Sequence, residues 1–172
     1  IGGLMTKTNK LGYIGGAQTP PMVAALGGYM AGAKLVNPEA EVIYTFPGVW
    51  DDVEKGKESA KAQFAAGADF MMGRGDGIAE GALEASKEAK VFCVGDVIDQ
   101  NPLAPDLLVT STFWDLSVVL KQMISDSDSG AWKGGMYNLG MKEGATDIAP
   151  FHGLVPDDIA AKVMAVRQQI ID

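Results

Sequence analysis

Residues Leu11–Phe46 read LGYIGGAQTPPMVAALGGYMAGAKLVNPEAEVIYTF, and this stretch decides the fold. Its first segment, Leu11 to Gly16, is a short apolar run closing on paired glycines, as a strand entering a turn does. Pro20-Pro21 then opens a helix-length segment to about Val36, since proline is tolerated in the first turn of a helix. Asn37-Pro38-Glu39 stops it, and Glu41 to Phe46 carries the β-branched and aromatic residues that strands favour. Strand, helix and strand without a hairpin turn imply a parallel pair joined by a right-handed crossover.

The alternation continues outward. Pro47 to Trp50 is a loop, Asp51 or Asp52 caps a helix from about Val53 to Ala66, and Gly67 ends it. Ala68 to Met72 reads as a third strand, Gly73 to Gly77 as a flexible loop, and Ile78 to Ala89 as a helix. Val91 to Val94 and Leu107 to Thr112 supply a fourth and a fifth strand. The pattern predicts an α/β fold: a Rossmann-like parallel sheet with helices on both faces. Further on, Ser125 to Gly130 reads as a polar surface loop, Met136 to Leu139 as a short strand and Asp157 to Ile171 as a last helix. Ile1-Gly2-Gly3-Leu4 reads as the tail of a helix, so a piece of a longer chain is expected.

Composition narrows the function. The 172 residues suit a well-buried domain, and 47% of them are hydrophobic with ordinary charge content. A net charge of -8 argues against nucleic acid, whose phosphates require a clustered positive surface. With a single cysteine no internal disulfide forms, and Cys93, inside Val91 to Val94, reads as a small buried strand residue. No apolar run approaches the roughly 20 residues of a spanning helix. The sole histidine, His152, sits in a turn-like Ala149 to Gly153 segment far from Cys93. Without a metal-ligand cluster, a Gly-x-Ser-x-Gly elbow or a phosphate loop, no catalysis and no cofactor are expected.

Ligands of open parallel sheets bind beyond the carboxyl ends of the strands. Those ends carry Gly15 to Gln18, Pro47 to Trp50, Gly73 to Asp76 and Gly95-Asp96. An indole, an arginine and carboxylates suit a planar ligand with hydrogen-bonding groups. Each has a plainer reading. Trp50 serves equally as a packing lid, Arg74 and Asp76 can pair on the surface, and Asp96 and Asp99 can cap loops.

Several motifs taken in order resemble one family. They are Lys7 to Gly16, Tyr29 to Pro38, Gly48 to Asp52 with Lys55 to Lys57, Gln63 to Asp69, and Asp99-Gln100 with Leu103 to Asp106. Thr110 to Thr112, Leu139 to Gly144 and Ala149 to Phe151 complete the series. Together they resemble the basic membrane protein family, the purine nucleoside receptor A-like solute-binding lipoproteins of ABC transporters. The resemblance implies a type I periplasmic-binding-protein lobe, with residues 1–113 as the C-terminal lobe. Residues 114–172 would form a return segment contributing to the hinge and to a second lobe. It also implies an extracytoplasmic location, an ABC permease as partner and a purine nucleoside or nucleobase as solute. A lobe without its partner exposes an apolar face, which favours self-association of the isolated piece.

Family members stack the purine on aromatic rings and hold the ribose with an aspartate and a lysine. Carried over by position, Lys142 matches that lysine, and Met72 stands where an aromatic follows the third strand. The family's Gly-Val-Asp-x-Asp-Gln becomes Gly95-Asp96-Val97-Ile98-Asp99-Gln100, which moves the ligand aspartate one place and turns its side chain to the other face. The candidate ligand-binding set is Trp50, Met72, Arg74, Asp96, Trp114 and Lys142. Competing readings are a receptor for a sugar or other small polar solute, the ligand-binding domain of a transcriptional regulator, and a flavodoxin-like enzyme.

Overall fold

The computed structural model describes residues Ile1–Asp172, and its elements follow the apolar pattern closely. They run α1 (Gly2–Met5), β1 (Lys10–Gly15), α2 (Pro20–Val36), β2 (Glu41–Thr45), α3 (Val53–Ala65), β3 (Phe70–Arg74), α4 (Asp76–Ala89) and β4 (Phe92–Gly95). A 3-10 turn at Asn101–Leu103 leads to β5 (Leu108–Trp114), α5 (Leu116–Asp128), β6 (Thr146–Ile148) and α6 (Asp157–Ile171). The sheet order is β2-β1-β3-β4-β5-β6, parallel throughout except that β6 returns antiparallel to β5.

Alternation along the strands builds two core layers. Ile14, Met71, Cys93 and Leu108 face α3 and α4, where Ala60, Ile78, Ala82 and Ala85 meet them. On the other face, Leu11, Phe70 and Val109 form a cluster with Ala33 and Val155, while Tyr13, Met72 and Leu26 form another. The C-terminal segment closes this second layer: Phe151, Leu154, Ile159 and Ala160 pack against it. Arg167 on α6 grips Asp147 on β6 through two hydrogen bonds and holds that carboxyl below its ordinary range. The contact therefore contributes stability at neutral pH that is lost as acid protonates the carboxylate.

Helices α3 and α4 approach until backbone touches backbone. A Cβ on Gly56 would strike the Ile78 carbonyl, and one on Gly81 would strike the Val53 carbonyl and the Lys57 amide. Lys57 bridges Glu84 and Glu88 across the seam, and Lys61 also reaches Glu88. Because the obstacles at Gly81 are backbone atoms, the helices must separate to admit a methyl group. Gly81→Ala is expected to destabilise the fold by about 1–3 kcal/mol. An unchanged urea midpoint would show that the seam yields freely.

Three local expectations are corrected. Gly73 and Arg74 continue β3 instead of starting a loop, because they pair with Ile14 and Gly15 of β1. Ser125 to Asp128, expected as loop, form the last turn of α5, whose start is capped by Asp115 accepting from the Ser117 amide. Their polarity marks solvent exposure, which a surface helix shares with a loop. Met136 to Leu139 form no strand; the free edge of β5 is taken by Thr146–Ile148.

Candidate functional site

Strands β1, β3, β4 and β5 end side by side, and parallel pairing brings their last residues to one edge. Arg74 closes β3, Asp96 follows β4, and Trp114 closes β5. The Arg74 side chain lies across the end of the intervening strand. Its Nε donates to Asp96 Oδ2 at 3.2 Å, Nη2 lies 3.2 Å from Oδ1, and the guanidinium carbon sits 5.6 Å from the Trp114 ring centroid. Both charged side chains are about nine-tenths buried, at 10% and 7% exposure. Arg74 thus pairs with Asp96 rather than with the exposed Asp76, its nearer sequence neighbour.

Asp96 is held on every side. Thr112 Oγ1 donates to Oδ1 at 2.9 Å, and the Asp96 amide donates to Gln100 Oε1 at 3.1 Å. Gln100 is fixed in turn, its amide donating to Ser111 Oγ. The next residue, Val97, has φ 72, a left-handed conformation that a β-branched side chain rarely takes. Its carbonyl accepts from the Trp114 amide at 3.1 Å, which ties the strained turn to the end of β5. Strain of this kind is worth on the order of 1–3 kcal/mol and gathers at functional sites.

Trp50 reaches the same edge from the loop after β2. Its ring lies on Gly16 and Gly75: a Cβ on Gly16 would strike the indole, and one on Gly75 would come within 3.2 Å of it. Gly75 also has φ 107, so both space and backbone require glycine there. The Trp50 carbonyl accepts from the Ile78 amide, which fixes the loop to α4. Beside the ion pair lies an open groove of about 500 Å³, lined in part by Asp76, Glu80, Asp96, Val97 and Gln100.

The structure therefore brings Trp50, Arg74, Asp96 and Trp114 to one edge. Met72 lies in the core against Tyr13 and Leu26. Lys142 is exposed on the turn before β6 and has no hydrogen bond or ion pair within the chain. Nothing in the sequence announced the strain at Val97 or the clamp made by Thr112 and Gln100. The glycines under Trp50 could have been found, since each directly follows a strand end. Among the plainer candidates, His152 pairs with Asp99 at 2.9 Å in a turn at φ 52. Burial pushes the Cys93 thiol up to about 12, which leaves almost no thiolate at neutral pH.

A purine-binding protein of Brucella abortus is 30% identical over 159 residues, covering 92% of this chain and 45% of that protein. An ABC transporter nucleoside-binding protein of Lactococcus lactis is 32% identical over 187 residues, covering 97% of this chain and 52% of its own length. The chain thus spans about half the length of these curated relatives. The crystal structure of a transcriptional activator of the comK gene from Bacillus halodurans superposes with a TM-score of 0.88 at 26% identity, covering 99% of this chain and 60% of that one. A family model described as ABC transporter substrate-binding protein PnrA-like matches residues 1–172. The chain belongs to this family, Bmp, whose members are ABC transporter substrate-binding proteins with a periplasmic-binding-protein type I fold.

Proposed function

We propose that this chain is one lobe of the solute-binding component of an ABC importer, and that it takes a purine nucleoside or nucleobase in the cleft between two lobes. The observation that carries this reading is the pair of partly open indoles, Trp50 at 37% and Trp114 at 47% exposure, on either side of the Arg74–Asp96 pair. Exposed rings beside a fixed hydrogen-bonding group suit a flat heteroaromatic solute. The purine- and nucleoside-binding names of the relatives support the same class. Lys142 is assigned to the polar part of the solute, on its free ammonium and its family position.

Residues 114–172 contribute to the hinge and, through α5, to the second lobe. In support, α5 buries none of its residues and leaves Leu116, Leu120 and Ile124 exposed along one side. No helix is long and apolar enough to cross a membrane. The complete protein works outside the cytoplasm as an anchored lipoprotein that delivers its solute to an ABC permease.

Replacing Trp50 with alanine in the complete protein is expected to weaken purine binding by about 1–3 kcal/mol, as for ring stacking generally. Equal calorimetric affinities of the wild type and the variant would remove Trp50 from the site. A second reading, the ligand-binding domain of a regulator, draws support from the likeness to the Bacillus halodurans activator. Promoter DNA binding by the complete protein that changes with purine would favour it.

A further inference from the structure

We infer that Arg74 reads a pair of adjacent acceptors on the edge of an oxopurine, and that Asp96 is the positioning residue that aims it. The inference rests on the purine reading above and names which purines. A guanidinium has two hydrogen-bonding edges that matter here. Asp96 occupies the edge formed by Nε and Nη2. The opposite edge, formed by Nη1 and the second N–H of Nη2, remains. Nη1 has no hydrogen-bond partner in the protein and is not sealed from solvent.

The guanidinium plane cannot swing away. Asp96 holds one edge, Thr112 holds Asp96, and Trp114 lies against the guanidinium. A fork held this firmly presents two parallel N–H groups at fixed spacing, which matches O6 and N7 of hypoxanthine or guanine. Adenine offers N7 beside an amino group, so one N–H would meet another donor and lose its partner. A simple carboxylate offers two acceptors but no ring for the exposed indoles of Trp50 and Trp114 to cover.

The arrangement also says what Asp96 does not do. Its Oδ2 accepts from Arg74, and its Oδ1 faces both Arg74 and Thr112. Most of its acceptor capacity is taken within the protein, with Oδ1 engaged twice and Oδ2 once, so Asp96 has little left to offer ribose hydroxyls. Recognition falls on the base, and the sugar adds little through this residue.

Calorimetry on the complete protein tests this with hypoxanthine and adenine, and with inosine and adenosine. The expected result is that each oxopurine binds roughly ten- to hundredfold more tightly than its amino counterpart, the size of one bidentate contact. Arg74→Lys keeps a cation against Asp96 but loses the fork, and is expected to collapse that ratio toward unity. Asp96→Asn, which loosens the aim, is expected to narrow it as well, a change in selectivity that a purely structural role would not produce. Adenine binding as tightly as hypoxanthine would overturn the inference and leave the purine reading standing. So would an undiminished ratio in Arg74→Lys. Absence of binding to all four compounds would overturn both. Even if neither variant folds, a wild-type ratio near unity overturns the inference.

Discussion

Arg74→Met is expected to lower folding stability by about 3–5 kcal/mol, one of the two largest effects anticipated here. The cause is not lost attraction so much as the charge left behind. Asp96 is almost wholly enclosed, with its side chain 7% exposed. Removing the guanidinium strands that carboxylate with only the Thr112 hydroxyl for company. The double variant Arg74→Met, Asp96→Leu removes both charges and is expected to regain most of the loss, because a buried ion pair is worth little more than an apolar pair of like size. Urea unfolding of the wild type, both single variants and the double variant completes the cycle. If Arg74→Met unfolds at the wild-type midpoint, the pair is wetter than its burial indicates. In the expected outcome binding and stability part company, since the double variant is sound yet lacks the guanidinium proposed to read the solute.

The isolated 172-residue chain is expected to bind its solute about a thousandfold more weakly than the complete protein. In a two-lobed receptor the ligand is held by closure, and each lobe supplies part of the contacts. This chain presents the indoles of Trp50 and Trp114 partly exposed at one edge, beside the largely buried Arg74. Losing about 4 kcal/mol of contacts from the other lobe turns micromolar affinity into millimolar. Calorimetry with hypoxanthine and inosine on the chain and on the complete protein measures the difference. Micromolar binding by the chain alone would show that this edge is a complete site and that the two-lobe proposal is unnecessary.

The sequence by itself determined the α/β architecture and the edge at which to look. Strand runs such as Leu11–Gly16 and Glu41–Phe46 are short, apolar and separated by one helix, the order that parallel crossovers produce. The ordered motifs also carried the family, because they extend along almost the whole chain and the family model matches residues 1–172. These features are legible because local periodicity and turn chemistry act on near neighbours. What only the tertiary structure decided is which charges meet. Asp76 is two residues from Arg74, yet Arg74 pairs with Asp96, 22 residues away, because β3 and β4 are adjacent in the sheet and end together. The same holds for Trp114 over Arg74, Trp50 over Gly16 and Gly75, and the end of α5, whose polar residues read as loop. A side chain's partner is set by strand order and by burial, which makes an unpaired charge costly. Neither is written in the residues beside it.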